Sequence, residues 1–120
     1  MSRQLADRVV TLFTAEDEPG LTALFDATMR TGVPPERLRD LWRRLKVASG
    51  SQPVVGEPVV AQVPGPAELF DYPLTYPRRR NHLQVVIRED LVAGLVVLPG
   101  APTGRWKKSR GMWRQLLRLR

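Results

Sequence analysis

The chain has no cysteine and only one histidine, His82, among its 120 residues. No disulfide framework, thiolate metal site or cysteine nucleophile is therefore available, and no paired-histidine metal motif. No metal or other cofactor is expected. Acidic residues are missing from one region. Residues 1–100 hold 12 basic and 12 acidic side chains, whereas residues 101–120 hold Arg105, Lys107, Lys108, Arg110, Arg114, Arg118 and Arg120 and no acid. The formal charge of +7 is thus a property of the C-terminal segment. No apolar run approaches the roughly 20 residues of a membrane span, and Arg3, Asp7 and Arg8 interrupt what a signal peptide would need. A cytoplasmic location is expected. The length suits one domain with an ordinary core.

What is present divides into helical and strand-like halves. Leu5, Val9, Leu12 and Phe13 recur at helical spacing, so Ser2 to about Ala15 reads as one amphipathic helix. After the interruption Glu16-Asp17-Glu18-Pro19-Gly20, a stripe of Leu21, Leu24, Phe25, Thr28 and Met29 predicts a second helix to about Arg30, ended by Gly32. Pro34 as cap and Pro35 as first helical residue open the third, whose buried stripe is Leu38, Leu41, Trp42 and Leu45. Beyond Gly50 the period falls to two. Strands are expected near Glu57–Val63, Leu69–Tyr76, Leu83–Arg88 and Val92–Leu98, joined by short connections and so antiparallel. The fold class is therefore α+β: three helices covering one face of a four-stranded sheet.

Alternation places Phe70, Tyr72, Leu74 and Tyr76, with Leu83, Val85 and Ile87, toward the helices. Asp71, His82, Gln84 and Arg88 take the opposite parity. Because the fourth strand is apolar on both sides, its second face requires a cover, either the C-terminal segment or a second copy of the chain. A homodimer is expected. Pro73 cannot donate to a ladder and marks an edge or a bulge.

The strings LADRVVTLFTAEDEPGLTALFDATM, VPPERLRDLW, GEPVV, YPLTY, NHLQVVI and VAGLVVLP occur in this order. Together they resemble the successive blocks of the bacterial domain-of-unknown-function family 3887, within the nuclear transport factor two-like (cystatin-like, SnoaL-like) superfamily. The resemblance covers about residues 4–99, which leaves residues 100–120 as a linker and basic tail. It implies a curved sheet enclosing a cavity against the helices, and no particular activity, since relatives of this fold include isomerases, cyclases, dehydratases and dimerisation modules.

In such a cavity Phe25, Met29, Trp42, Tyr72 and Tyr76 are the candidate ligand-binding residues, and core filling is the competing role for the same side chains. The leading expectation is a binding or dimerisation module engaging a small apolar ligand or a protein. A small isomerase, cyclase or hydratase is the alternative, with Asp26 and Tyr72 or Tyr76 as acid–base groups. His82, by parity, reads as exposed or interfacial, and no Asp–His dyad is expected. Arg78, Arg79 and Arg80 read as a solvated turn, an anion contact, or a subunit salt bridge to the Glu16–Glu18 cluster. In the tail, Trp106, Met112, Trp113, Leu116, Leu117 and Leu119 share one arc of a helix opposite Lys107, Arg110, Arg114 and Arg118. Arg105, Lys107, Lys108, Arg110, Arg114 and Arg118 are accordingly candidates for an anionic membrane surface or a partner groove. The separate apolar stripe suits burial better than base stacking, which argues against nucleic acid.

Overall fold

The computed structural model describes residues 2–106. Helix α1, Ser2–Thr14, buries Val9 and Phe13 of the expected stripe together with Ala6 and Val10, while Leu5 and Leu12 are only partly buried against the same core. The expected second helix is instead two short ones, α2 at Glu18–Thr22 and α3 at Ala27–Gly32. Asp26 causes the break. Its backbone is extended, and its carboxylate accepts from Met29 N at 2.8 Å, the N-cap geometry that an Asp side chain favours over a helix interior. The residues around the break turn to the sheet, with Asp26 N donating to Val92 O at 2.9 Å and Val92 N to Leu24 O at 2.8 Å. Helix α4, Pro35–Ser49, begins at the Pro34 cap as expected and ends at Gly50, whose φ of 98° belongs to the left-handed region.

The sheet has five strands, not four: β1 Val54–Val55, β2 Val59–Val63, β3 Ala67–Thr75, β4 Arg80–Arg88 and β5 Leu91–Pro99. All pairings between them are antiparallel, in the order β1-β3-β4-β5, with β2 also paired to β3. Pro73 explains the additional strand. β1 lies opposite Leu74 and Thr75, β2 lies opposite Ala67–Asp71, and Pro73 sits where the partner changes. Gly56 fits at this junction because a Cβ there would come within 2.7 Å of Pro73 Cγ. β4 and β5 join through Glu89 and Asp90, with φ of 52° and 60°. A two-residue hairpin of this kind favours Asn-Gly. The double replacement Glu89→Asn, Asp90→Gly should therefore raise unfolding stability by about 1 kcal/mol, read by urea titration.

The faces follow the expected alternation. Phe70, Tyr72, Leu74, Leu83, Val85, Ile87, Leu95 and Val97 join the helices in the main core. A smaller cluster of Ala67, Leu69 and Val86 lies apart, with Trp106 packed on it. The second face is thus covered in part by the chain itself. No helix among the described residues is long and apolar enough to cross a membrane.

Candidate functional site

Tyr72 reaches from β3 toward α1, and its phenol donates to Asp7 Oδ1 at 2.6 Å. Arg3, one turn before Asp7, donates Nε to the same carboxylate at 3.0 Å and Nη2 to Glu57 Oε2 at 3.0 Å. This chain of groups edges a cleft of about 460 Å³ lined by Arg3, Asp7, Val10, Thr11, Thr14, Val55, Gly56, Glu57 and Tyr72. The volume suits a small molecule. Glu57 and Gly56 are placed there by the junction that Pro73 forces, and Asp7 by the exposed stripe of α1. Two carboxylates against one guanidinium leave the lining with an excess of acceptors and one negative charge.

The electrostatics separate the two hydrogen-bonded groups. Partial burial pushes the Asp7 carboxyl up, but the bonds from Tyr72 and Arg3 outweigh it and hold the group below the ordinary carboxylate range. Tyr72 moves the other way, raised by burial and by its bond to the Asp7 carboxylate. Tyr76 is pushed up to about 12 by burial and by the charge of Glu16. Neither phenol is poised for proton transfer near neutral pH.

The other expected site residues lie apart from this cleft. Phe25 and Met29 are fully buried in the main core. Trp42 and Tyr76 border a nook of about 20 Å³ beside the Lys46–Glu16 ion pair. Trp42 Nε1 is buried there without a hydrogen-bond partner among the described residues. Asp26, considered as an acid or base, is committed to capping α3. Arg78 is exposed in the turn as expected, and it also donates to Lys46 O and Val47 O at 3.0 and 2.8 Å, closing the end of α4. Glu18 pairs with Arg39, and Glu16 with Lys46, within the same chain. Arg105 is exposed, whereas Lys107, Lys108, Arg110, Arg114 and Arg118 lie outside the described residues.

The expectation of an exposed His82 and no Asp–His pair is corrected. Asp71 and His82 are 0% and 3% exposed. His82 Nδ1 donates to Asp71 Oδ1 at 2.6 Å. Asp71 Oδ2 accepts from Gln84 Nε2, Thr103 N and Gly104 N, each at 3.0 Å. His82 lies on the face that its parity indicates, but residues 100–106 fold back over this face and bury it. Complete burial would raise the Asp71 carboxyl, yet its bonds from His82, Gln84 and Gly104 outweigh that effect and hold it below the usual range.

A carboxyl depressed in the folded state contributes stability above its unfolded value, about 3.9. That contribution is lost as pH falls through the folded value. The Asp71 contribution to urea-unfolding stability should accordingly be lost as pH falls below about 4. The acid decline should be shallower in Asp71→Asn. An identical decline in the variant would contradict the assignment.

No group of three or more metal-ligating side chains occurs among the described residues. Comparison with family models, curated proteins and solved structures gives no match.

Proposed function

We propose that the chain is a binding module of the nuclear transport factor two-like kind that takes a small molecule into the cleft between α1 and the β1–β2 connection. The observation that carries this reading is the open volume of about 460 Å³ beside Tyr72, where Val10 and Val55 offer apolar contact and Asp7 and Glu57 offer acceptors. The ligand is therefore small and largely apolar, with a neutral or cationic head that donates hydrogen bonds. Helices packed on one face of an antiparallel sheet support the fold assignment. Binding is preferred to catalysis because Asp26 is a helix cap and the phenols of Tyr72 and Tyr76 are raised well above neutrality.

Benzylamine and benzoate, matched in size and opposite in charge, are suitable probes. Benzylamine should bind and benzoate should not. Thr11→Trp, on the exposed face of α1, should fill the cleft and remove benzylamine binding while leaving the unfolding transition in place. Equal binding by the variant and the parent in calorimetry would overturn the reading. The module is further proposed to be a homodimer, supported by the exposed Val54, Val55, Val59 and Val60 along the β1–β2 edge. Sedimentation as a monomer at high concentration would overturn that part.

A further inference from the structure

The second face of the sheet holds a segment of its own chain, residues 103–106. Asp71, in the central part of β3, uses one carboxylate oxygen to accept two successive main-chain N–H groups, from Thr103 and Gly104 at 3.0 Å each. Gln84 on β4 donates Nε2 to the Arg105 carbonyl at 2.7 Å. These three contacts address backbone atoms and so identify an extended or turning chain, whatever its side chains.

Two further features select the sequence. Gly94 leaves a slot on β5 in which the Trp106 ring lies, since a Cβ at Gly94 would come within 2.7 Å of Trp106 Cη2 and 2.8 Å of Cζ2. Gly104 has φ of 70°, and a Cβ there would meet Val59 Cγ1 at 2.9 Å, so both conformation and space favour glycine. Thr103 shapes the turn within the segment, its Oγ1 accepting from Arg105 N at 3.1 Å. The Arg105 side chain is exposed and contributes no selection.

We propose that this face is a peptide-recognition surface, with residues 101–106 as its occupant in cis. The partner it fits is a Thr-Gly-X-aromatic segment of another polypeptide. The receptor groups are built into three strands and buried, while the occupant is held by three hydrogen bonds to Asp71 and Gln84 and by the Trp106 ring over Gly94. Exchange of the cis segment for an equivalent one would conserve every contact. The tethered occupant competes at high effective concentration, so binding in trans emerges when the cis segment is weakened.

The test uses the full chain and a fluorescein-labelled peptide, Ala-Pro-Thr-Gly-Arg-Trp, followed by anisotropy. Trp106→Ala, a replacement outside the main core, should bind the peptide at least about tenfold more tightly than the parent chain. A peptide carrying Gly104→Pro lacks the N–H that reaches Asp71 and should bind about tenfold or more weakly. A peptide carrying Arg105→Ala should bind as the original does. Absence of binding to the Trp106→Ala chain, equal binding by the parent, or full binding of the proline peptide would each overturn the proposal. Because the cleft at Tyr72 lies on the other face, a negative result with benzylamine does not affect this test.

Discussion

Replacing Asp71 by Ala should lower unfolding stability by about 3–5 kcal/mol, the largest effect expected of any single polar substitution in this chain. The carboxylate accepts four hydrogen bonds at a fully buried position. Its removal leaves the His82 and Gln84 donors inside the protein without that acceptor, and unsatisfied buried donors cost far more than an exchanged surface bond. The Thr103 and Gly104 amides have an escape, because the segment can lift into water. Amide exchange should therefore accelerate at residues 103–106 more than in β3 and β4. Asp71→Asn keeps the volume and one acceptor, so it should fall between the parent and Asp71→Ala. Urea titration measures the first effect and hydrogen exchange the second. A loss under 1 kcal/mol, or unchanged exchange at Thr103 and Gly104, would show that the buried carboxylate does not hold the segment.

Tyr72→Phe should have the second largest effect, about 1–2 kcal/mol, toward the lower part of the range for a hydrogen bond to a charged group. The Asp7 side chain is half exposed, so water can replace the lost phenol. The aromatic ring stays in the main core, and the cost is confined to the hydroxyl. Two consequences separate this from simple loss of packing. The Asp7 carboxyl should return toward its ordinary value, because one of the bonds holding it down is gone. Benzylamine binding should also weaken, since Asp7 loses the partner that orients it across the cleft. A variant of unchanged stability, with Asp7 titrating as in the parent, would remove Tyr72 from the site.

The elements with a clear period were legible in the sequence. Helix α1 shows the expected spacing, α4 starts at the expected proline pair, and four of the five strands fall within a few residues of the alternating runs. The break at Asp26 was not legible. Leu21, Leu24, Phe25 and Met29 have helical spacing whether the helix is continuous or interrupted, and the interruption shows only in the capping bond to Met29 N and the bonds that Leu24 and Asp26 exchange with Val92. β1 is two residues long and carries no period of its own.

The Asp71 cluster was half legible. Parity grouped Asp71, His82 and Gln84 on the face away from the helices, and the structure puts them there. A tight turn after Tyr76, closed by Tyr76 N donating to Arg79 O at 2.9 Å, sets Asp71 opposite Gln84 and Pro73 opposite His82. The expected start of the third strand at Leu83, three residues after the actual start at Arg80, concealed that register. The C-terminal segment was one of the two expected covers, but where it folds back was not legible: Pro102 and Gly104 have the composition of a linker, yet the φ of Gly104 and its approach to Val59 favour glycine there. Asp7 was overlooked because it sits on the exposed stripe of an amphipathic helix. Its partnership with Tyr72 spans 65 residues of sequence and has no local signature.

The most direct test of the proposed binding function is amide chemical-shift mapping of the isotope-labelled full chain during titration with benzylamine. Saturable shifts should cluster at Asp7, Thr11, Thr14, Gly56 and Glu57, around the cleft beside Tyr72. No saturable shift, or a cluster confined to Thr103–Trp106 on the opposite face, would contradict it.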